Sequence, residues 1–177
     1  GPGQNEIDFH RADPLTSADH QVAFHNAVRT IAARYGLRAS FMPKPLPQDY
    51  GNASRINLSL YRNRNNLFRM ENGELTMEAR HAMAGVLNRL AEMTLFLNPI
   101  PNSYERLTDD EAPNRICWST LHGRNAIRLP LPQHRFARMQ ISSPDPTGNA
   151  YLVYALIIFA ALEGIHHQEE LAPSVGY

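Results

Sequence analysis

Hydrophobic residues along the chain recur at two different periods, and the change from one to the other marks out the elements. In three segments they return every three or four positions, the spacing that gathers them on one face of a helix. The first follows Asp13-Pro14-Leu15, where Thr16 or Ser17 can cap a helix; Val22, Ala23, Ala27, Val28, Ile31 and Ala32 are its apolar stripe and Gly36 its stop. The second starts after Thr76 and carries Met77, Ala82, Val86, Leu87, Leu90, Met93 and Leu97 as far as Asn98-Pro99. The third, from about Ala150 to His166, is apolar almost all round, which predicts a helix buried at the centre of the fold.

Short stretches of strand character lie between the helices: Asn5–His10, Ala39–Met42, Arg55–Tyr61, Ile116–Thr120, Ala126–Leu129 and Phe136–Ile141. Asn57, Ser59 and Tyr61 alternate with Ile56, Leu58 and Leu60, the period of a half-buried strand whose polar face is open to chemistry. Pro43-Lys44-Pro45-Leu46-Pro47 and Pro130-Leu131-Pro132 mark loops inside one unit, and no repeat or low-complexity segment divides the chain. The pattern predicts a single α+β domain over residues 1–177 with antiparallel strands.

Composition narrows the function classes. With 177 residues, 43% of them hydrophobic and 19% charged, the chain can bury a core, and a disordered or collagen-like chain is excluded. Lys+Arg and Asp+Glu both number 17, so no net field draws the chain to nucleic acid or to an anionic membrane, and neither partner is expected. Lys44 is the only lysine, so the positive charge is almost all arginine, whose planar fork suits fixed contacts with carboxylate or phosphate. A sole cysteine, Cys117, excludes an intrachain disulfide and fits a reducing compartment. No leader-like segment opens the sequence, and the longest apolar stretch, Tyr151–Ile165, is shorter than the roughly 20 residues of a spanning helix; a cytoplasmic protein is expected.

The densest polar cluster is Asn102-Ser103-Tyr104-Glu105-Arg106, followed by Glu111-Ala112-Pro113, in what reads as a loop after the second helix. An arginine and a carboxylate there suit a clamp for an amino-acid-like substrate and equally suit a surface ion pair. Ser143-Pro144-Asp145-Pro146-Thr147-Gly148-Asn149 has the composition of a turn into a helix, with Asn149 or Thr147 as its cap. His166 and His167 are adjacent, so a regular helix cannot aim both at one metal; they read as partners of a helix C-terminal dipole.

Taken in order, Gly1-Pro2-Gly3-Gln4-Asn5-Glu6, Phe41-Met42-Pro43-Lys44-Pro45, Ile56-Asn57-Leu58-Ser59-Leu60, Asn98-Pro99 with the 102–106 cluster, Glu111-Ala112-Pro113, Ile127-Arg128-Leu129-Pro130 and Ser143-Pro144-Asp145-Pro146 with Asn149 and Tyr151 resemble the catalytic domain of glutamine synthetase over essentially the whole chain. The resemblance implies that family's curved antiparallel sheet packed with helices. It also implies an ATP-dependent ligase that phosphorylates the glutamate side chain and lets ammonia displace the phosphate, with two divalent cations, Mg²⁺ or Mn²⁺, and arginines neutralising the charge. By position, Glu6 looks like a ligand of the metal nearer the glutamate. Arg106 looks like the arginine for the substrate α-carboxylate, and Glu111 like the loop carboxylate that takes a proton from ammonium. Gly51 falls in the loop that meets the amino acid. Arg128 resembles a phosphate-binding arginine, and Asn57, Ser59 and Arg138 sit where the family contacts nucleotide.

Several positions depart from the family pattern. The histidine ligand of the nucleotide-side metal is replaced by Arg55, a fixed cation that cannot coordinate and repels a divalent ion. The glutamate ligand of the same metal is replaced by Gln140, which brings an oxygen without charge. A paired arginine is Ser142, and another falls on Gly123, with Arg124 displaced by one. Changes concentrated around one charge centre argue that this metal is not bound in the usual way. The resemblance also places the start of the chain inside the catalytic domain, so the β-grasp domain and the earlier metal-binding glutamates are expected to be absent from it.

Two readings follow. The chain is a fragment or subunit of a working ligase that needs its missing half from another polypeptide, or a catalytically dead relative that binds partners or amino acids or serves as a structural subunit. Expected partners are a second copy, a complementary glutamine-synthetase-like chain, or a glutamate-like small molecule. An unpaired first strand at Asn5–His10 is expected among the contacts.

Overall fold

Asp13 starts the first helix, because its carboxylate accepts the Thr16 backbone N–H at 3.0 Å and Pro14, at the first helical position, has no N–H to satisfy. In the computed structural model, which describes residues 1, 3–70, 74–108, 112–121, 123–130 and 137–175, this helix, α1, spans Pro14–Arg34. The cap is therefore Asp13 and neither Thr16 nor Ser17. At the other end Gly36 takes φ +68°, and the Leu37 N–H turns back to the Ala32 carbonyl at 2.9 Å. The apolar stripe of α1 is not buried: only Ala18 and Gln21 are, while Val22 and Ile31 are 42% and 53% exposed.

Helix α2, Met77–Leu97, begins at Thr76, whose hydroxyl oxygen accepts the Ala79 N–H at 3.2 Å. Its predicted stripe from Ala82 to Leu97 is buried, and of the stripe residues only Met77, in the first turn, is exposed. The polar cluster expected in a loop forms a short helix, α3, Pro101–Leu107, with Pro101 at its first position and the Ile100 N–H donating to Ser103 Oγ at 3.3 Å. Helix α4, Ala150–His166, is capped by Asn149, which accepts from the Tyr151 and Leu152 N–H groups at 3.1 and 3.3 Å.

Helices α2 and α4 form the centre of the packing. They touch backbone to backbone, since a Cβ on Gly85 would lie 2.2 Å from the Ala160 carbonyl oxygen and 2.6 Å from Gly164 Cα. Beside this crossing Glu169 accepts from Arg89 and Asn88, each at 2.6 Å, and its main-chain oxygen accepts from His81 Nδ1 at 2.7 Å. The prediction that α4 is buried all round is corrected. Val153, Ile157, Ala160 and Ala161 face the core, whereas Leu152, Phe159 and Leu162 are 49%, 60% and 53% exposed. Apolarity on every side gave no sign that one side lacks a cover in this chain. Helix α1 meets α4 through polar contacts, the Tyr151 and Tyr154 hydroxyls donating to Asp19 at 2.6 Å and to Gln21 at 2.7 Å.

The strands are β1 (Ile56–Leu58), β2 (Tyr61–Arg62), β3 (Asn65–Asn66), β4 (Arg115–Ser119), β5 (Asn125–Arg128) and β6 (Met139–Ile141). A four-stranded sheet runs in the order β1-β6-β5-β4, and β2 with β3 makes a separate hairpin turned by Asn63 and Arg64, both at positive φ. The pairs β1–β6 and β5–β6 are antiparallel, but β4–β5 is parallel, so the sheet is mixed and the uniform antiparallel reading is corrected. Where the chain leaves β4, Ser119 Oγ accepts the Leu121 N–H at 3.1 Å. Alternation of side chains is the same for either strand direction, which is why the pattern did not reveal it.

Two predicted strands are absent. Residues 5–10 are exposed and join no ladder, and without a neighbouring strand their alternation cannot form one. Residues 39–42 are held instead by Ser40 Oγ accepting the Met42 N–H and by Phe41 stacking on His25 at 3.9 Å. Phe136 lies outside the described residues. The core joins Met83, Val86, Leu90 and Leu97 of α2 and Ile157 of α4 to Ile127, Met139 and Ile141 of the sheet. Helices cover that face, and Asn57 on β1, Arg128 on β5 and Gln140 on β6 mark a polar opposite face. No described helix is long and apolar enough to cross a membrane.

Candidate functional site

The polar face of the sheet takes its residues from three adjacent strands. Asn57 on β1 stands opposite Gln140 on β6, and Gln140 opposite Arg128 on β5. Arg138 lies two residues before Gln140 and Arg55 two before Asn57, so the two-residue period brings both to this face. Asn57 Oδ1 organises the group, accepting from Arg138 Nε at 2.9 Å and from Gln140 Nε2 at 3.4 Å. Arg55 Nη1 lies 3.0 Å from Glu6 Oε1 in a pair that is largely exposed. Half-burial lowers the pKa of Arg128, and the nearby charges of Arg55 and Arg138 lower it further, placing the three guanidinium groups in one electrostatic neighbourhood. Ser59 points its hydroxyl at the Ala137 carbonyl, 2.9 Å away.

A second group gathers around Arg106, which is 2% exposed. Its Nη2 donates to the carbonyl oxygens of Ser142 at 3.4 Å and Pro144 at 3.3 Å, and to that of Ser143 between them, so α3 is fastened to the chain leaving β6. The stem of Arg106 lies on Gly51, where an added Cβ would come within 2.6 Å of Arg106 Cγ and 2.7 Å of the Pro43 carbonyl oxygen. Glycine is required there for close approach. Gln4 Nε2 donates to the Gly51 carbonyl at 3.0 Å and to Asn52 Oδ1 at 2.8 Å, and Asn102 brackets Lys44 by accepting its N–H and donating to its carbonyl.

The structure thus brings Arg106 and Gly51 together, Asn57 with Arg128, Arg138 and Gln140, and Glu6 with Arg55. Glu111 lies outside the described residues. Gln4 and Asn102, which hold the first segment and the Gly51 loop in place, were not singled out from the sequence. Their partners are 47 to 58 residues away, and no local spacing signals that.

The donor set does not fit the nucleotide-side metal that the resemblance implies. Arg55 brings a permanent positive charge to the position and occupies the Glu6 carboxylate, and the Gln140 amide nitrogen is committed to Asn57. Among the described residues no three His, Cys, Asp or Glu side chains converge.

Helices on one face of a small mixed sheet and an arginine-bearing polar face on the other define a two-layer α+β domain. The profile of the glutamine synthetase catalytic domain matches residues 1–176. Glutamine synthetases of Clostridium saccharobutylicum and Thermus thermophilus are 41% and 40% identical to the chain over 166 and 170 residues, which is 92% and 94% of it. The chain spans 38% of the length of each. The solved structure of apo GmaS without ligand superposes with a TM-score of 0.82 at 30% identity, over 94% of this chain and 38% of that one. The chain belongs to the glutamine synthetase catalytic-domain family.

Proposed function

We propose that the chain is a glutamine-synthetase-type polypeptide of ATP-dependent amide formation which, as an isolated chain, does not carry out the ligation. The observation that carries this is the 3.0 Å pair between Arg55 and Glu6, which sets a fixed cation where the ligase needs a metal ligand and engages the carboxylate beside it. What the chain retains is the means to hold a glutamate-like molecule: Arg106 for an α-carboxylate, the Gly51 loop around the amino acid and Glu111 for a proton. Use of Arg106 in this way requires its guanidinium to exchange a carbonyl partner for the carboxylate.

A second reading, a catalytically dead subunit that assembles with another copy or with a complementary glutamine-synthetase-like chain, draws support from the exposed apolar residues of α1 and α4. Incubation with glutamate, ammonia, ATP and Mn²⁺ tests the activity. The proposal expects no ATP-dependent glutamine from the chain alone; turnover at an ordinary enzymatic rate contradicts it.

A further inference from the structure

Residues 39–43 join no strand ladder, and their anchor is an aromatic ring. Phe41 stacks on His25 of α1 with the ring centroids 3.9 Å apart. The Arg29 guanidinium, one turn further along the helix, lies 5.1 Å from the centre of the Phe41 ring. Phe24 closes the group, 6.0 Å from Phe41 and 5.3 Å from Phe9. The residues after Phe41 carry this hold into the amino-acid loop: the Met42 carbonyl accepts from Asn52 Nδ2 and the Pro43 carbonyl from the Asn52 N–H, each at 2.7 Å. Asn52 adjoins Gly51, which lies against the Arg106 stem. One run of contacts thus joins His25 to Arg106.

We infer that His25 is a pH-sensitive positioning residue for the Gly51 loop: its neutral ring keeps Phe41 against α1, and its protonation releases Phe41, Met42 and Pro43 and with them the hold on Asn52. The inference deepens the proposed function, on which it rests for the ligand of that loop, while the order of the loop itself is a separate observable. A proton on His25 sets a second cation at a ring that already faces Arg29, among phenylalanine side chains that solvate no charge. Burial, and then the charge of Arg29, accordingly push the imidazole below its ordinary 6.5. Among the described residues Arg29 is the one charge that acts on the ring. Residues 39–42 bear none, with Arg38 and Lys44 outside that stretch; Asp8 and His10 flank Phe9; and α4, which meets α1 at Asp19 and Gln21, has none before Glu163. The folded chain takes up this proton at lower pH than the unfolded chain, so the hold is complete above about pH 6.5 and is lost as pH falls through the folded value.

The test is hydrogen exchange of the Asn52 amide in the full chain, read against His25→Phe, which keeps a flat ring on Phe41 and takes up no proton. Both proteins are compared at the same pH, so the intrinsic chemistry of exchange cancels. At about pH 7.5 the two are expected to protect Asn52 alike, and at about pH 5 the wild type should exchange severalfold faster. Phe41→Leu should lose the protection at both, with circular dichroism confirming the helices of each variant. His25→Gln, also flat and uncharged, replaces His25→Phe should the larger ring disturb α1. Equal protection in the wild type and the uncharged variant at about pH 5, or an Asn52 amide that Phe41→Leu leaves protected, would overturn the inference. Calorimetric titration with glutamate extends the test to the site: affinity is expected to fall between these two pH values in the wild type and to hold in His25→Phe, and a wild-type affinity that tracks the variant overturns the coupling. Absence of glutamate binding at about pH 7.5 would count against Arg106 as its receptor, and the exchange result would still decide the role of His25.

Discussion

At the scale of single residues, identity at two positions decides the character of the site. On the proposed reading Arg55 and Gln140 replace a histidine and a glutamate that would hold a divalent cation; the structure shows Arg55 engaged with Glu6 and Gln140 with Asn57. Arg55→His together with Gln140→Glu restores two ligands and releases Glu6. We expect Mn²⁺ affinity, read by calorimetry, to rise by an order of magnitude or more while ATP-dependent glutamine formation stays absent; unchanged Mn²⁺ affinity, or clear turnover, counts against this account. The residues of the polar face were legible in the sequence because the alternation of Asn57 with Ile56 and Leu58 survives in the strand, and the family-like wording around Arg128 marked its place. The Arg55–Glu6 contact was not legible. It joins residues 49 positions apart, and nothing local specifies it.

At the scale of elements, helices were read more faithfully than strands. Periodic apolar residues and strong caps fix α2 and α4 at Thr76 and Asn149, whereas strands at residues 5–10 and 39–42 needed a neighbour that the pattern could not supply. The α2–α4 crossing rests on Gly85 and Gly164, so Gly85→Ala forces the helices apart. It should cost about 1–3 kcal/mol in chemical denaturation, and a loss under about 0.5 kcal/mol would mean that the backbones do not touch as described. Glu169 ties the end of α4 to α2. Burial pushes its carboxyl pKa up, but hydrogen bonds from Asn88 and Arg89 outweigh that and hold it below 4.5. A depressed carboxylate contributes stability above its unfolded value and loses it as pH falls through the folded value. Glu169→Gln should therefore destabilise the chain at pH 7 by an amount that shrinks below about pH 4.5; a difference constant from pH 7 to pH 3 would contradict the assignment.

At the scale of the whole molecule, the helices α1 and α4 leave apolar side chains open, among them Ile31, Leu152, Phe159 and Leu162. Exposed apolar surface on this scale favours association. Sedimentation should show a mean mass rising above 20.0 kDa with concentration, and Phe159→Glu with Leu162→Glu should suppress the rise; a monomer at every concentration would show that these faces need no cover. The central claim is that this domain keeps its family's fold while, on the proposed reading, the fixed cation Arg55 takes the place of a ligand of the nucleotide-side metal. Its most direct test is the affinity of the full chain for ATP measured twice by calorimetry, in EDTA and in excess Mn²⁺. The account predicts that Mn²⁺ leaves the affinity unchanged or weakens it. Micromolar binding that appears only with Mn²⁺ would contradict it.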